Sequence, residues 1–183
     1  MEIEPFRVDV DPSVIEDLRR RLASTRLADE PEGIGWGLGT SAEYLAALVA
    51  HWHHEFDWFD AQEKLNALPQ FRASVDGVRV HFAHLRGRGP NPMPIVLVHG
   101  WPSGYLEMTK LAPLLADPAA HGGDEVDAFD VIVPSLPGFG FSGAPREIGV
   151  GYFRAAGLIY RLITEGLGIP RYAVHGSGGG VFV

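Results

Sequence analysis

The 183-residue sequence contains no cysteine. Disulfides, thiolate catalysis and cysteine-based metal sites are therefore excluded, and a reducing compartment is permitted. No apolar run approaches the roughly 20 residues of a membrane-spanning helix. The opening residues, MEIEPFRVDV, are acidic and lack the apolar stretch of a secretory signal. These absences point to a cytoplasmic chain without a membrane segment. Basic clusters are absent beyond Arg19-Arg20-Arg21, and the formal net charge is −8. That balance argues against nucleic acid as a partner, and the triplet reads as the solvated face of a helix. Internal repeats and low-complexity tracts are absent too. His51, His53 and His54 share one predicted helix but lack the i, i+4 spacing of a zinc pair, so no metal is expected.

What is present is an ordinary globular composition, 46% hydrophobic and 21% charged, long enough for a real core. Phe6 to Val10 alternates apolar with polar residues and predicts a short strand. Asp11-Pro12 predicts a helix start, with an apolar stripe at Val14, Ile15, Leu18 and Leu22. Residues 26–41 read as a surface loop tied down by Trp36. A second helix is predicted from Thr40-Ser41, carrying Tyr44, Leu45, Leu48, Val49 and Trp52, and helical sequence ends by Pro69. Alternation on both sides of Asp76-Gly77 predicts a hairpin over 71–85. Residues 86–94, RGRGPNPMP, read as a linker.

The rhythm then changes. Ile95-Val96-Leu97-Val98 and Phe129 to Pro134 are continuous apolar runs, as strands buried on both faces require. A helix is predicted through Tyr105, Met108, Leu111 and Leu115, and another through Phe153, Ala156, Leu158, Ile159 and Leu162. Tyr172 to His175 predicts a third strand. Strand and helix in alternation imply right-handed crossovers on a parallel sheet.

Three small-residue stretches bear on chemistry. HGWP, His99 to Pro102, follows the first buried strand, where open α/β sheets place their sites. Its backbone N–H groups could hold an oxyanion, or it could be a plain turn with a buried Trp101. GFGFSG, Gly138 to Gly143, has the letters of a phosphate cradle. Pro134 and Pro137 separate it from the strand, though, and two phenylalanines sit where phosphate would approach, so a packed loop fits better. Gly176-Ser177-Gly178-Gly179-Gly180 follows the third strand and has the context of a nucleophile elbow, small-x-nucleophile-x-small. With Gly176 and Gly180 as the small pair, the nucleophile position is Gly178. Centring on Ser177 makes His175 one of the flanking residues, and His175 is not small. A serine esterase through Ser177 is the weaker alternative.

Taken in order, PFRVDV, LRRRLASTRL, the Trp36 loop, EYLAALVAHWHHEFDWFDAQEKLNALPQF, DGVRVHFAH, VLVHGWPSGYLEM, FDVIVPSLPGFGFSG and RYAVHGSGGG resemble the microsomal-type epoxide hydrolases of the α/β-hydrolase superfamily. The resemblance implies residues 1–90 as that family's N-terminal helical and meander segment. It implies 91–183 as the first part of an α/β-hydrolase sheet, truncated after the nucleophile elbow. In that family an aspartate of the elbow attacks an epoxide, a histidine oriented by an acidic residue activates the hydrolytic water, and lid tyrosines protonate the epoxide oxygen. By resemblance, Trp101 and Gly179 would donate the oxyanion-hole N–H groups, with His99, Gly100 and Pro102 completing the oxyanion loop. HG-x-Asp-x-G would put an aspartate where Gly178 stands. The implied function is that of an epoxide hydrolase, a detoxifying activity on small-molecule epoxides without a cofactor, inactive in this chain by itself. A non-catalytic interaction module, or one half of a split hydrolase, is the alternative. The last strand would then offer its edge to a second copy or a complementing chain.

Overall fold

The computed structural model describes residues 1–183. The chain divides into two compact units, Val8–Leu65 and Met1–Arg7 with Asn66–Val183. The β-hairpin around Asp76-Gly77 lies in the same sheet as the later strands.

The smaller unit is helical. Helix α1, Pro12–Ala23, starts as its sequence dictates: the Asp11 carboxylate accepts a hydrogen bond from the Ser13 amide at 2.8 Å, and Pro12 takes a first-turn position that needs no donor. Ile15 and Leu22 are buried, whereas Val14 is exposed and drops out of the expected stripe. The Arg20 and Arg21 side chains reach solvent and pair with Asp17. Helix α2, Ala42–His54, is capped by the Ser41 hydroxyl. Its Tyr44, Leu48 and Trp52 are exposed. Trp36 is also exposed, 62%, and touches the Tyr44 ring instead of anchoring its loop in an interior. Helix α3, Trp58–Asn66, follows after a break at 55–57, and Gln62 on it accepts hydrogen bonds from the Val10 amide and the Trp58 indole.

The larger unit is a six-stranded sheet of order β1-β2-β3-β5-β4-β6. Strands β1 (Ile3–Phe6), β2 (Gln70–Val75) and β3 (Val78–Leu85) are antiparallel neighbours. The first strand lies earlier than the alternation at 6–10 predicts. Its register ends at Phe6 opposite Gln70, and the next partner residue is Pro69, which has no N–H for a ladder. Asp76 and Gly77 both have positive φ, 49° and 77°, so the hairpin closes in the manner its Asp-Gly pair predicts. Strand β3 then runs antiparallel to β5 (Phe129–Pro134), and β5, β4 (Met93–Val98) and β6 (Ala173–Gly176) are parallel. The core joins Val75, Val80, Phe82, Val96, Val98 and Ile132 to Leu158, Ile159, Leu162 and Ile163 on one covering helix.

The residues expected as a linker are pinned rather than loose. The Gly87 amide and the Arg86 and His84 side chains all reach the buried Asp130 carboxylate. The helix expected through 105–115 is broken. Tyr105–Met108 is a 3₁₀ turn and α4 spans Leu111–Ala116, since Pro113 has no amide to continue an earlier helix and fits only a first turn. Helix α5, Tyr152–Arg161, ends in a π-helical turn, Leu162–Gly166. It buries Ala155, Leu158 and Ile159 but leaves Phe153 90% exposed, against expectation. Strand β6 is the edge of the sheet, and its Val174 is 54% exposed.

Candidate active site

The C-terminal ends of β4 and β6 lie side by side, with Val98 opposite Gly176. The HGWP loop and the glycine turn therefore leave the sheet together. Their contact is backbone on backbone. A Cβ on Gly100 would come within 2.5 Å of the Ser177 carbonyl oxygen and 2.7 Å of the Gly179 nitrogen. A Cβ on Gly180 would come within 2.5 Å of the Val98 oxygen, and one on Gly176 would overlap the Gly180 carbonyl. Main-chain atoms cannot swing aside, so these three positions admit glycine only.

Gly178 differs. It is the tip of the turn, its φ is +48°, and an added Cβ would sit 3.5 Å from Gly100 Cα, 3.7 Å from Trp101 O and 4.0 Å from Trp101 N. These are ordinary van der Waals distances. A side chain on residue 178 would stand against the HGWP loop, and the present residue leaves that space to solvent. The left-handed backbone is the strained geometry that a sharp strand-to-helix turn imposes on its tip.

His99 is fully buried and spends both ring nitrogens on structure. Nδ1 donates to the Gly100 carbonyl at 3.2 Å, and Nε2 accepts from the Leu136 amide at 3.0 Å. Burial pushes its pKa down, against the opposing pull of the Gly100 carbonyl and Glu107, so it is a neutral strut between the HGWP loop and the 134–143 loop. The Trp101–Pro102 peptide is cis, and the Trp101 side chain is 72% exposed, so the reading of this stretch as a turn around a buried tryptophan fails. The amides of Trp101 and Gly179 donate no hydrogen bond within the chain.

Ser177 does not stand at the tip. Its backbone is extended, its amide continues the strand ladder to Val98 O at 3.1 Å, and its hydroxyl donates to the Glu107 carboxylate. Its hydrogen bonds include none to an imidazole, and His175 points from an exposed edge strand. Nothing in this geometry activates Ser177 as a nucleophile. Glu107 also accepts from the Ser103 hydroxyl. Partial burial would raise its carboxyl pKa, but the hydrogen bonds from Ser103, Ser177 and the Gly100 backbone outweigh burial and hold it below the usual range.

The 134–143 loop backs this arrangement. Ser142 Oγ accepts from the His81 amide at 2.9 Å and donates to the Ser135 carbonyl at 2.7 Å, while the Gly143 amide donates to Arg79 O at 2.7 Å. With its polar groups bonded inward and Phe139 set against the His99 ring, the loop is packing and not a phosphate cradle. Beneath it, His81 accepts at Nδ1 from the Ser135 hydroxyl and donates at Nε2 to Gln70, which also accepts from the Tyr105 hydroxyl. Burial, reinforced by the nearby Arg72 charge, lowers the His81 pKa to about 3, and burial raises that of Tyr105 to about 12.

An apolar cavity of about 290 Å³, lined among others by Trp101, Leu136, Phe139 and Tyr152, opens beside the turn. A larger one, about 750 Å³, lies at the opposite ends of the parallel strands, around His84, Arg86 and Asp117. The smaller cavity is the relevant one, since ligands of open α/β sheets bind at the carboxyl ends of the strands. Sequence reasoning named His99 to Pro102, Gly178 and Gly179. It missed Glu107 and Tyr152, which reach the turn only through the tertiary fold.

Comparison with known proteins agrees with this architecture. The family model described as "Epoxide hydrolase N terminus" matches residues 3–108, and one described as "alpha/beta hydrolase fold" matches 93–180. A "Putative epoxide hydrolase" of Stigmatella aurantiaca is 41% identical over 181 residues, 99% of this chain and 41% of that protein. "Epoxide hydrolase 1" of Oryctolagus cuniculus is 36% identical over 185 residues, covering 99% of this chain and 40% of its own length. The structure of Aspergillus niger epoxide hydrolase superposes on all of this chain and 48% of its own, with a TM-score of 0.87 at 29% identity. That of juvenile hormone epoxide hydrolase from Bombyx mori gives 0.85 at 27% identity, over 97% of this chain and 47% of its own. The chain thus spans about 40% of the length of the curated relatives it matches. With one family model covering more than half of its residues, the chain belongs to the epoxide hydrolase family of the α/β-hydrolase superfamily.

Proposed function

We propose that these residues form the oxyanion-loop and elbow portion of an epoxide-hydrolysing site, with Gly178 in the nucleophile position. The observation that carries this reading is the contrast at the turn: Gly176 and Gly180 admit no side chain, while Gly178 between them has a left-handed backbone and room for one. In the reaction the family implies, a carboxylate there attacks an epoxide carbon. The ring C–O bond breaks, the alkoxide takes a proton from an acid, and water hydrolyses the resulting ester to release a diol. The free amides of Trp101 and Gly179 would hold the oxyanion formed in the second step. Glycine has no atom that can attack, and His99 has no free nitrogen to serve as base. The 183 residues by themselves therefore do not form the ester.

The test is incubation of the purified chain with a simple terminal epoxide, followed by intact-mass measurement and assay for diol. An unchanged mass and no diol above the uncatalysed rate agree with the reading. A hydroxylamine-labile adduct on the native chain would overturn it.

We further infer a second role for the open edge of the sheet. Strand β6 is unpaired on one side and carries an exposed Val174. Such an edge suits a second copy or a complementing chain, which would make the protein an interaction module or one half of a split hydrolase. A monomer at all concentrations in sedimentation, with no gain of activity on mixing with a C-terminal half from a relative, would remove that reading. A cytoplasmic place and a part in detoxification are inferred from the cysteine-free composition and the family chemistry.

A further inference from the structure

The cavity of about 750 Å³ at the amino-terminal ends of the parallel strands lies wholly within the larger unit and shares no residue with the glycine turn. One buried polar side chain reaches it. His84 is 5% exposed, and its Nε2 lies 3.0 Å from the Asp130 carboxylate. Burial lowers the pKa of this histidine, against the pull of Asp130, and favours the neutral ring. A carboxylate can only accept, so the proton of that ring sits on Nε2 and Nδ1 keeps a lone pair. Nδ1 has no hydrogen-bond partner in the chain. It is not sealed in either, because Arg72 Nε is the one fully buried side-chain nitrogen or oxygen without a hydrogen bond. Asp130, on the Nε2 side of the ring, is not part of the cavity wall, whereas His84 is. The unused lone pair therefore opens on the cavity.

A lone pair in an apolar chamber calls for a ligand that donates. The wall around it is in part aromatic: Phe71 stacks on Phe82 with ring centroids 5.6 Å apart, and both line the cavity together with Pro113 and Leu167. Such faces suit a flat ring. Arg86 and Arg88 also border the space, but each is paired, with Asp130 and with Asp117. The charges there are balanced, and a carboxylate ligand would set its oxygens against the His84 lone pair. We infer that the cavity binds an uncharged phenol, its hydroxyl donating to His84 Nδ1 and its rings lying against the aromatic wall. The volume is that of an ordinary small-molecule site and admits two fused rings.

The test is titration of the isotope-labelled full chain with 2-naphthol at neutral pH, following the amides of residues 67–71 and 82–88 and the ring nitrogens of His84. Two compounds are run beside it: 2-methoxynaphthalene, of similar shape but without a donor, and 2-naphthoate, which is an anion. The expected result is saturable shifts around the cavity, with His84 Nδ1 moving as it accepts and the Nε2 proton retained. 2-Naphthol binds about threefold to tenfold more tightly than 2-methoxynaphthalene, as one net hydrogen bond implies, and more tightly than 2-naphthoate. Ala67 lines the cavity from an exposed position, so Ala67→Trp fills the space and abolishes binding. Equal binding of 2-methoxynaphthalene, tighter binding of 2-naphthoate, shifts that do not saturate, or unmoved His84 ring nitrogens would each overturn the inference. Unchanged binding in a folded Ala67→Trp chain would do the same, and the ligand series on the native chain decides the matter whether or not that variant folds.

Discussion

Ser177 and Glu107 are 70 residues apart in sequence and are joined by a hydrogen bond from the serine hydroxyl to the carboxylate. Because Glu107 also accepts from Ser103, one side chain ties the glycine turn to the loop that follows β4. The two amides that frame the tip come from these two segments, so their spacing depends on a residue of neither motif. Glu107→Ala is expected to speed hydrogen exchange at 177–182 while lowering global stability by only about 1 kcal/mol, since the carboxylate is exposed. Global loss several times larger, with no local effect, would make Glu107 an ordinary fold contact.

The glycines of the turn are expected to rank. Gly180→Ala and Gly176→Ala drive a Cβ into carbonyl groups and cost about 3 kcal/mol or more, through displacement of β4 against β6. Gly178→Ala costs about 1 kcal/mol, from left-handed strain alone, and Gly178→Asp or Gly178→Asn costs less because these residues tolerate that backbone. Thermal unfolding of the five variants measures the order. Equal losses at 178 and 180 would contradict the geometry of the turn.

Stability is expected to fall on the acid side through His81. Its folded pKa, about 3, lies below the unfolded value of 6.5, so the unfolded chain binds the extra proton between these limits. The stabilisation is complete above 6.5 and is lost as pH falls towards 3, at up to about 1.4 kcal/mol per pH unit. His84 and His99 are lowered too, in each case chiefly by burial, and act in the same direction. His81→Gln should flatten the slope in urea unfolding measured between pH 6.5 and 4.5. An unchanged slope would assign the effect to the other histidines.

On the alkaline side the sign reverses. Burial raises Tyr105 from 10.0 to about 12, so its contribution is full below 10 and is lost as pH rises from 10 towards 12. Tyr105→Phe should remove that loss and cost about 1–3 kcal/mol at neutral pH, because it takes away the hydroxyl that donates to the buried Gln70. Ultraviolet titration of the phenols, followed together with unfolding, checks both statements.

Much of this was legible in residue order. Asp11-Pro12, Ser41 and Asp76-Gly77 specify their caps and turn by local chemistry, and the apolar runs of β4 and β5 can satisfy themselves only inside a sheet. The glycine spacing likewise marks a tight turn, and Gly178 at its tip has a positive φ. Tertiary choices were not legible. Val14 and Phe153 have the periodicity of buried residues but face water, and Trp36 is large enough to anchor a loop yet does not. Glu107 and Tyr152 look like ordinary helix residues, and only the folded chain brings them to residues 177 and 179. Pairing across tens of residues has no period by which it can be read.

The central claim is that residue 178 is where a carboxylate would face the oxyanion amides. The most direct measurement is the titration of the aspartate carboxyl introduced by Gly178→Asp, through its carbon-detected resonance together with the amide shifts of Trp101 and Gly179. The account predicts a carboxyl titrating below the ordinary aspartate value, with both amides moving at the same midpoint, because hydrogen bonds to the charged form favour it. An ordinary titration that leaves both amides unmoved would place the side chain elsewhere and contradict the account.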